Sequence, residues 1–518
     1  MILIPSAQFV QGDLRSEFGD IPPAFLPLGN KPLYLMQVSA FRAAFPSEDI
    51  VISVPESFEV GSTNENILAR LGCKIVRVPA SLTLADSILL VLNVSGFDSG
   101  STLRILHGDT FIPEIPHVKD VIGVANSADQ YDWQYTGEDN DRPGQVWCGY
   151  FSFSEIPLVV RSLAVSHGSF VEAVKLYSET IATELVPISG WMDVGHLNTY
   201  FRTRERFTTE RHFNNLTVTG GVVVKSGIPS SKILGEANWF ESLPGPLRVY
   251  SPQLLFRDDE RSNYGIEYLP MPPLNELYVH GRSSPLFWQR IFRYCEDWLQ
   301  LAQDDVPLGL DLARERRRLV SDKTFERLNE IRDSMYIDIN KPLRVNGRFS
   351  PGLRDIAERC SELAAEAPFV PGVLHGDFCF SNIILDSRAG RIRLIDPRGI
   401  EEPSSDLLYS DLLYDVGKFA HSVVGGYDLI IAGHCDISGN WEDREFDLSV
   451  HFNHLQNVVA RQFVENGMLE FRGPQIRSVL AVVVLLFISM VPLHSDRDDR
   501  QKAFIANAVR IYLDYIEE

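Results

Sequence analysis

The sequence lacks an excess of basic residues, a cysteine pattern and a leader-like N-terminus, and each absence excludes a class of protein. Its 48 Lys and Arg against 69 Asp and Glu give a formal net charge of -21. This excludes a general nucleic-acid or membrane-surface role, because both need a basic face. The six cysteines are scattered without a C-x-x-C pair, so neither disulfides nor a zinc site is expected. The opening MILIPSAQF has no basic n-region, so we expect a first buried strand of a cytoplasmic protein and not a signal peptide.

One apolar run, 478–494, approaches the length of a membrane span. It contains Pro492 and is followed at once by the charged stretch DRDDR. We therefore expect a buried helix in a helical core and no membrane span.

The length of 518 residues predicts several domains, and the pattern of secondary-structure signals along the chain changes twice. Residues 1–210 alternate strands such as DIVISVP with helical stretches such as LYLMQVSAFRAAF, which predicts a mostly parallel, Rossmann-like α/β sheet. Residues 211–284 begin with a hairpin around Gly-Gly (LTVTGGVVVKSG) and continue with a helix (SKILGEANWFESL) and strands in LRVYSPQLLF and YGIEYLP. Residues 285–518 are mainly helical apart from one strand pair, IILD and RIRLID.

The tetrapeptide LHGD occurs twice, and its second copy has the layout that phosphoryl transfer needs. In GVLHGDFCFSNIILD, Asp377 is followed five positions later by Asn382, and RIRLIDPRG then contains Asp396. In this chemistry one carboxylate accepts the proton of the attacking hydroxyl, while an Asn and a second Asp hold the metal ion at the phosphates. The hairpin predicts that Asn382 and Asp396 lie close enough to share an ion. His375 is expected to brace the loop through hydrogen bonds.

This stretch resembles the aminoglycoside phosphotransferase and choline kinase superfamily, a branch of the protein-kinase-like fold, over residues 215–518. The resemblance implies an α+β kinase domain with 211–284 as its N-lobe and 285–518 as its helical C-lobe. It also implies that ATP and Mg²⁺ are the cofactors, that Asp377 is the catalytic base, and that Asn382 and Asp396 are the metal ligands.

The same resemblance implies an ATP site in the N-lobe. Lys225 in VVVKSG is expected to reach the α- and β-phosphates, and Glu236, 11 residues on, is expected to pair with it. Glu241 lies on the same helix and is the alternative partner. The stretch IEYLP, which contains Glu267 and Tyr268, is expected to be the hinge that meets adenine through backbone groups.

Two features that follow Asp396 in the sequence bear on the predicted kinase site. The segment SDLLYDVGKFAHSVVGGYD resembles small-molecule kinases of capsule and lipopolysaccharide gene clusters, and Asp415 within it is expected to anchor the catalytic loop. Arg398 has two readings: it faces a phosphate or an anionic acceptor, or it pairs with Glu401, Glu402 or Asp406.

The first LHGD ends an apolar strand, RILHGD, and Asp109 there is placed where ligands bind in open α/β sheets. Together with LPLGNKPLYLMQVSAF and GWMDVGHLNTYFRTRERF, it resembles the sugar-phosphate nucleotidyltransferase family over residues 1–207. The resemblance implies that Asp109 and Asp193 share a Mg²⁺ ion and that a nucleoside triphosphate binds there.

The first domain departs from that family at the groups that grip phosphate. SAQFVQGDLRSEFGD places Gly12 and Arg15 only loosely on the family's G-x-G-x-R loop, and Ala24 stands where the family has a lysine. The domain is therefore either a nucleotidyltransferase that binds its nucleotide differently or one that binds without turnover.

The expected protein is an ATP-dependent kinase for a hydroxyl of a sugar or amino-alcohol precursor, fused to a nucleotidyltransferase-like domain that activates the product for surface polysaccharide synthesis. A rival reading makes the first domain a non-catalytic sensor or scaffold. A protein kinase is disfavoured because H-G-D replaces H-R-D and neither D-F-G nor A-P-E occurs.

Overall fold

A computed structural model describes residues 1–98, 100–127, 129, 145–207, 214–335, 337–404, 406–468 and 474–517. These residues separate into two compact units, Met1–Phe207 with His280–Arg282 and Thr208–Val279 with Ser283–Glu518. The domain boundary predicted between residues 210 and 211 lies outside the described residues and stays a prediction.

The first unit alternates buried strands with helices. Its strands are β1 (Ile2–Pro5), β2 (Ile50–Pro55), β3 (Cys73–Val78), β4 (Leu103–Leu106), β5 (Thr110–Phe111), β6 (Val121–Asn126), β7 (Gln145–Phe153), β8 (Glu184–Pro187) and β9 (Met192–Asp193). Its helices are α1 (Gly12–Phe18), α2 (Leu33–Ala44), α3 (Ser62–Arg70), α4 (Leu84–Ser95), α5 (Ile156–Val165), α6 (Phe170–Thr180) and α7 (Leu197–Glu205).

Seven of these strands form one sheet in the order β3-β2-β1-β4-β7-β6-β8, in which β7 runs antiparallel to β4 and β6 while the other pairs are parallel. Ile2 pairs with Ile50 on one side and with Arg104 on the other. Every residue of β1, β2 and β4 is buried, as expected for parallel strands covered on both faces. The predicted α/β class with a mostly parallel sheet is confirmed.

The second unit combines short antiparallel sheets with long helices. Its strands are β10 (Asn214–Thr219), β11 (Val222–Gly227), β12 (Leu254–Asp258), β13 (Asn263–Glu267), β14 (Leu343–Val345), β15 (Arg348–Ser350), β16 (Pro371–Val373), β17 (Ile383–Asp386), β18 (Arg391–Leu394), β19 (Tyr409–Asp411), β20 (Cys435–Asn440) and β21 (Glu445–Val450). Its helices are α8 (Ser230–Ser242), α9 (Leu274–Val279), α10 (Pro285–Leu301), α11 (Leu312–Arg316), α12 (Lys323–Met335), α13 (Leu353–Glu366), α14 (Leu413–Val423), α15 (Tyr427–Ile431), α16 (His454–Asn466), α17 (Pro474–Met490) and α18 (Asp498–Tyr515).

The N-terminal part of the second unit is an antiparallel sheet in the order β10-β11-β13-β12, with α8 packed on it. The predicted hairpin is present, and its turn residues Gly220 and Gly221 both have positive φ, which suits a two-residue hairpin turn. The strand prediction for LRVY is wrong, because Gly245–Tyr250 forms a 3₁₀ helix that Pro246 helps to start. The helical part follows, so the predicted α+β class of this unit is confirmed.

The apolar run predicted to be a buried helix lies in α17. One stretch among the described residues, Ile476–His494, is long and apolar enough to cross a membrane by length and composition. Its side chains from Val479 to Ile488 are buried, and α17 packs against α12, α13, α14 and α18. This is the packing expected of a helix in the core of a helical domain.

Candidate functional site

The second LHGD forms a loop between β16 and β17 that two backbone anchors hold in place. The buried carboxylate of Asp415 accepts hydrogen bonds from the N–H groups of His375 (2.7 Å) and Gly376 (2.8 Å). Burial raises the pKa of Asp415 to about 7. Gly376 has φ +77, and a Cβ there would lie 2.4 Å from Cβ of Arg398, so only glycine fits. The two hydrogen bonds to Asp415 therefore support the expectation that this residue anchors the loop.

His375 braces the same loop as a neutral side chain. Burial lowers its pKa to about 4, and its Nδ1 accepts a hydrogen bond of 3.3 Å from the N–H of Asp377. Its carbonyl accepts a bond of 2.7 Å from the N–H of Arg398, which ties the loop to the segment after Asp396.

Asp377 lies between a cation and an amide. Its Oδ1 is 2.9 Å from Nζ of Lys418 on α14, and its Oδ2 accepts a hydrogen bond of 2.8 Å from Nδ2 of Asn382. The carboxylate is about one-third exposed (35%), so a small molecule can reach it. Burial lowers the pKa of Lys418, but the charges of Asp377, Tyr414 and Cys379 and the hydrogen bond to Asp377 together raise it more, so the net shift is upward and Lys418 stays protonated. The pair therefore holds Asp377 oriented and accessible.

Asp396 and Asn382 meet at one end of the hairpin β17–β18, as the sequence predicted. Ile383 pairs with Leu394, and the carbonyl of Asn382 accepts a bond of 3.0 Å from the N–H of Ile395. Asp396 has φ +55, a left-handed conformation that is uncommon for a residue with a side chain and that often occurs at functional sites.

Lys225 joins the N-terminal sheet to this end of the hairpin. Its Nζ lies 2.5 Å from Oε2 of Glu236 and 2.9 Å from Oδ1 of Asp396. Burial lowers the pKa of Lys225, but Asp396 and Glu236 raise it more, so the net shift is upward. The hydroxyl of Tyr264 donates a bond of 2.7 Å to the same Oε2. Of the two glutamates considered on α8, the structure thus pairs Glu236 with Lys225.

The other glutamate of α8 lies on the surface. Glu241 forms an ion pair of 3.3 Å with Arg257 and is 53% exposed.

Glu267 and Tyr268, the two residues predicted to form the hinge, use their own N–H groups within the chain. The N–H of Glu267 donates to the carbonyl of Gln253 (3.0 Å), and that of Tyr268 donates to the carbonyl of Gly221 (2.8 Å). The Glu267 carboxylate pairs with Arg393 at 3.0 Å. A contact between either residue and adenine would therefore use a carbonyl oxygen, and the next N–H along the hinge is that of Leu269.

The side chains at this end of the hairpin suit a hard divalent cation. Lys225 supplies one positive charge to two carboxylates, so the Asp396 side keeps a net negative charge at the hairpin end where Asn382 also lies. Carboxylate and amide oxygens are ligands that Mg²⁺ accepts, usually together with substrate phosphates. Within the described ranges, no group of three or more His, Cys, Asp or Glu is placed to hold a metal ion by protein side chains alone.

The first LHGD brings its own two carboxylates together. Thr110 pairs with Asp193 across β5 and β9, and the N–H of Val194 donates to the carbonyl of Asp109 (2.9 Å). A Cβ on Gly195 would lie 2.7 Å from Oδ2 of Asp109 and 3.2 Å from Oδ1 of Asp193. Gly195 is thus the spacer that lets the two carboxylates approach.

The two carboxylates have opposite pKa shifts. Burial raises the pKa of Asp109 to about 6, and the charge of Asp193 adds to the rise. Burial also raises the pKa of Asp193, but hydrogen bonds from His196 (3.0 Å), the N–H of Gly195 (2.8 Å) and Thr199 (2.8 Å) lower it below its ordinary value. Asp193 therefore stays ionised, and its charge contributes to the raised pKa of Asp109.

Three positions of the first unit at which the family resemblance implies phosphate contacts, Gly12, Arg15 and Ala24, have structural roles. Ala24 is fully buried, and its N–H donates to Oγ of Ser6 (3.0 Å). Gly12 begins α1, and Arg15 on that helix forms an exposed ion pair with Asp20 at 2.6 Å. Neither Ala24 nor Arg15 supplies a free cation to the carboxylate pair.

Sequence reasoning missed several contacts of the sites. Lys418 follows Asp415 by three residues, a spacing that puts both on one helix face, and this could have linked it to the loop. His196 and Thr199 likewise follow Asp193 by three and six residues across the start of α7. Tyr264 had no such signal, because its bond to Glu236 depends on how β13 packs under α8.

No protein-family model and no curated protein matches the chain. Solved structures of both expected classes do. A nucleoside-diphosphate-sugar pyrophosphorylase from Vibrio cholerae RC9 is 15% identical, with a TM-score of 0.33, over 39% of this chain and 99% of that one. A choline/ethanolamine kinase family protein from Mesorhizobium loti is 13% identical, with a TM-score of 0.34, over 58% and 86%.

A thermostable aminoglycoside phosphotransferase mutant, solved with AMP-PNP and hygromycin B, is 13% identical, with a TM-score of 0.37, over 58% of this chain and 92% of that one. The topology of this chain itself defines the first unit as an α/β unit with a mostly parallel sheet and the second as an α+β unit.

Proposed function

We propose that the second unit is an ATP-dependent kinase that transfers the γ-phosphoryl group to a hydroxyl of a small polar acceptor, such as a sugar or an amino alcohol. One observation carries the proposal: Lys225 contacts both Glu236 and Asp396, while Asp377 and Asn382 are bonded to each other across the same hairpin end. A buried lysine between two carboxylates, next to a third that is accessible, matches the needs of phosphoryl transfer.

Asp377 is the proposed base. Its carboxylate takes the proton from the acceptor hydroxyl as the oxygen attacks the γ-phosphorus, and Asn382 fixes its orientation through the bond to Oδ2. Lys418 places a positive charge 2.9 Å from Oδ1 of this carboxylate. Lys225 is the proposed ligand of the ATP phosphates, with Glu236 holding its position, and the stretch that contains Glu267 and Tyr268 is the proposed adenine contact.

Asn382 and Asp396 are the residues that would hold Mg²⁺, which supplies charge neutralisation at the β- and γ-phosphates. Oδ1 of Asp396 lies 2.9 Å from Nζ of Lys225, so the proposed metal ligand and the proposed phosphate ligand converge on one place.

For the first unit, we propose a nucleoside triphosphate site in which Asp109 and Asp193 share a Mg²⁺ ion. If it turns over, it converts the kinase product into a nucleotide conjugate, which suits a cytoplasmic route to surface polysaccharide. The buried Ala24 and the exposed Arg15 favour the alternative, a unit that binds without turnover and acts as a sensor or scaffold. Pyrophosphate release from a triphosphate plus the kinase product separates the two.

The kinase proposal is tested by a screen of ATP consumption by the full chain against sugars and amino alcohols. Acceptor-dependent ADP formation is expected for at least one compound, and Asp396→Ala should abolish it together with metal-dependent ATP binding. Glu241→Gln is the matched control, because this carboxylate is exposed and lies outside the cluster. Failure of the wild-type chain to bind ATP with Mg²⁺ would refute the proposal.

A further inference from the structure

Several positively charged side chains lie near Asp377, the proposed base. Lys418 contacts Oδ1 of Asp377 at 2.9 Å, and its side chain is only 12% exposed. Two more cations, Arg398 and Lys323, lie close to this ion pair. The chain as a whole carries a net charge of -21, so a cluster of three cations around one carboxylate stands out from the rest of the molecule.

Arg398 is packed directly on the catalytic loop. The stem of its side chain covers Gly376, where an added Cβ would lie 2.4 Å from Cβ and 3.0 Å from Cδ of Arg398. Its backbone N–H is bonded to the carbonyl of His375 at 2.7 Å. Both contacts hold the guanidinium stem next to the residue that precedes Asp377.

Of the two readings of Arg398, the ion-pair reading is wrong for the described residues. Glu401, Glu402 and Asp406 are exposed, and Arg398 forms no ion pair within the described ranges. Its guanidinium group therefore has no carboxylate partner that would neutralise it.

Lys323 begins α12 and lies within electrostatic range of the other members of the cluster. Tyr414 raises its pKa, but burial and the charges of Lys418 and Arg398 lower it more, so the net shift is downward. Lys323 also forms no ion pair within the described part of the chain. Arg398, which is packed on Gly376, and Lys323 thus bring two cations without a carboxylate partner among the described residues near the Asp377–Lys418 pair, and an anionic ligand there would neutralise them.

We propose that the acceptor carries an anionic group, a carboxylate or a phosphate, which Arg398 and Lys323 bind while its hydroxyl faces Asp377. This inference rests on the proposed kinase function and narrows it, because it disfavours ammonium-bearing acceptors such as amino alcohols. The ATP phosphates have a separate ligand in Lys225, which is held by Glu236 and Asp396.

The test measures binding to the full chain with Mg²⁺ and AMP-PNP present. The probes are D-glucuronate and glucose 6-phosphate as the two anion sources, with glucose and ethanolamine as neutral and cationic counterparts. At least one anionic probe should bind about 10-fold or more tightly than glucose, and ethanolamine should bind no better than glucose. Charge-assisted hydrogen bonds have strengths consistent with a loss of about 10–100-fold in Arg398→Gln and in Lys323→Gln.

Three controls keep the outcome interpretable. Arg398→Lys retains the charge and should recover part of the anion affinity. Arg327→Gln, on the same helix as Lys323 but in a surface pair with Glu330, should bind like the wild type. AMP-PNP affinity should change less than about twofold in Arg398→Gln and Lys323→Gln, which shows that the nucleotide site is intact.

The proposal is overturned if neither anionic probe binds better than glucose, or if the variants weaken AMP-PNP binding instead of anion binding. Loss of AMP-PNP binding by the wild-type chain is a different result, because it refutes the kinase function itself.

Discussion

The carboxylate pair of the first unit yields a prediction that links pH, stability and metal binding. The perturbation is Asp109→Asn, which keeps the shape of the side chain and removes one of two facing charges. Burial raises the pKa of Asp109 from 3.8 to about 6, with a further contribution from the charge of Asp193. Asp193 keeps its charge because three hydrogen bonds lower its pKa despite burial.

The sign of the effect follows from the direction of the shift. A carboxyl group whose pKa is higher in the folded chain adds stability below its unfolded pKa, and this is lost as pH rises through the folded pKa. For Asp109 the window runs from 3.8 to about 6. At 1.36 kcal/mol per pH unit this corresponds to about 3 kcal/mol, and solvent screening of the partly exposed carboxylate reduces it. Wild type should therefore lose about 1–3 kcal/mol relative to Asp109→Asn on going from about pH 4 to pH 7.5.

Calorimetric unfolding of the full chain at both pH values, with and without Mg²⁺, is the assay. At the higher pH, Mg²⁺ should raise the unfolding temperature of wild type more than that of Asp109→Asn, because the shared ion offsets the repulsion in the first unit. Asp49→Asn is the control, since this carboxylate is 71% exposed and pairs with Lys74 on the surface. A wild-type-to-variant difference that does not change with pH, or an equal Mg²⁺ response in all three proteins, would refute the reasoning.

Two further predictions concern the second unit and the boundary. Lys418→Gln removes the cation beside Asp377, so the acidic limb of the pH–rate profile for phosphoryl transfer should move up by about 1–3 pH units; an unmoved limb would mean that Lys418 does not tune the base. Cutting the chain between residues 201 and 215 should give two soluble pieces, with ATP-dependent transfer only in the C-terminal one; insoluble pieces would show that the boundary is wrong.

Local patterns predicted much of the fold and which residues come together in the proposed kinase site. The strand-turn-strand spacing from Asp377 to Asp396 specifies a hairpin, and its two ends meet because Ile383 pairs with Leu394. The spacing between Lys225 and Glu236 predicts that a strand residue faces a residue of the next helix. In the structure the ammonium group of Lys225 contacts the carboxylate of Glu236.

Contacts between distant segments were beyond such patterns. The sheet β15-β14-β21-β20 was not predicted, since β14 has only three residues and pairs with β21 about a hundred residues later. Its one local signal is the turn Asn346-Gly347, where both residues have positive φ, as N-G hairpin turns require. The Lys418–Asp377 contact is of the same kind, because it joins α14 to a loop that lies much earlier in the sequence.

The central claim is that Asp377 is the base of a phosphoryl-transfer site, and turnover of Asp377→Asn tests it most directly. The asparagine keeps the shape and can still accept the hydrogen bond from Asn382, so AMP-PNP affinity should stay within about twofold of wild type. Acceptor-dependent ADP formation should fall by about 10²–10⁴-fold, the usual effect of removing a positioned proton acceptor. Asp406→Asn, an exposed carboxylate on the neighbouring segment, should retain wild-type turnover. Near-normal turnover by Asp377→Asn would contradict the account.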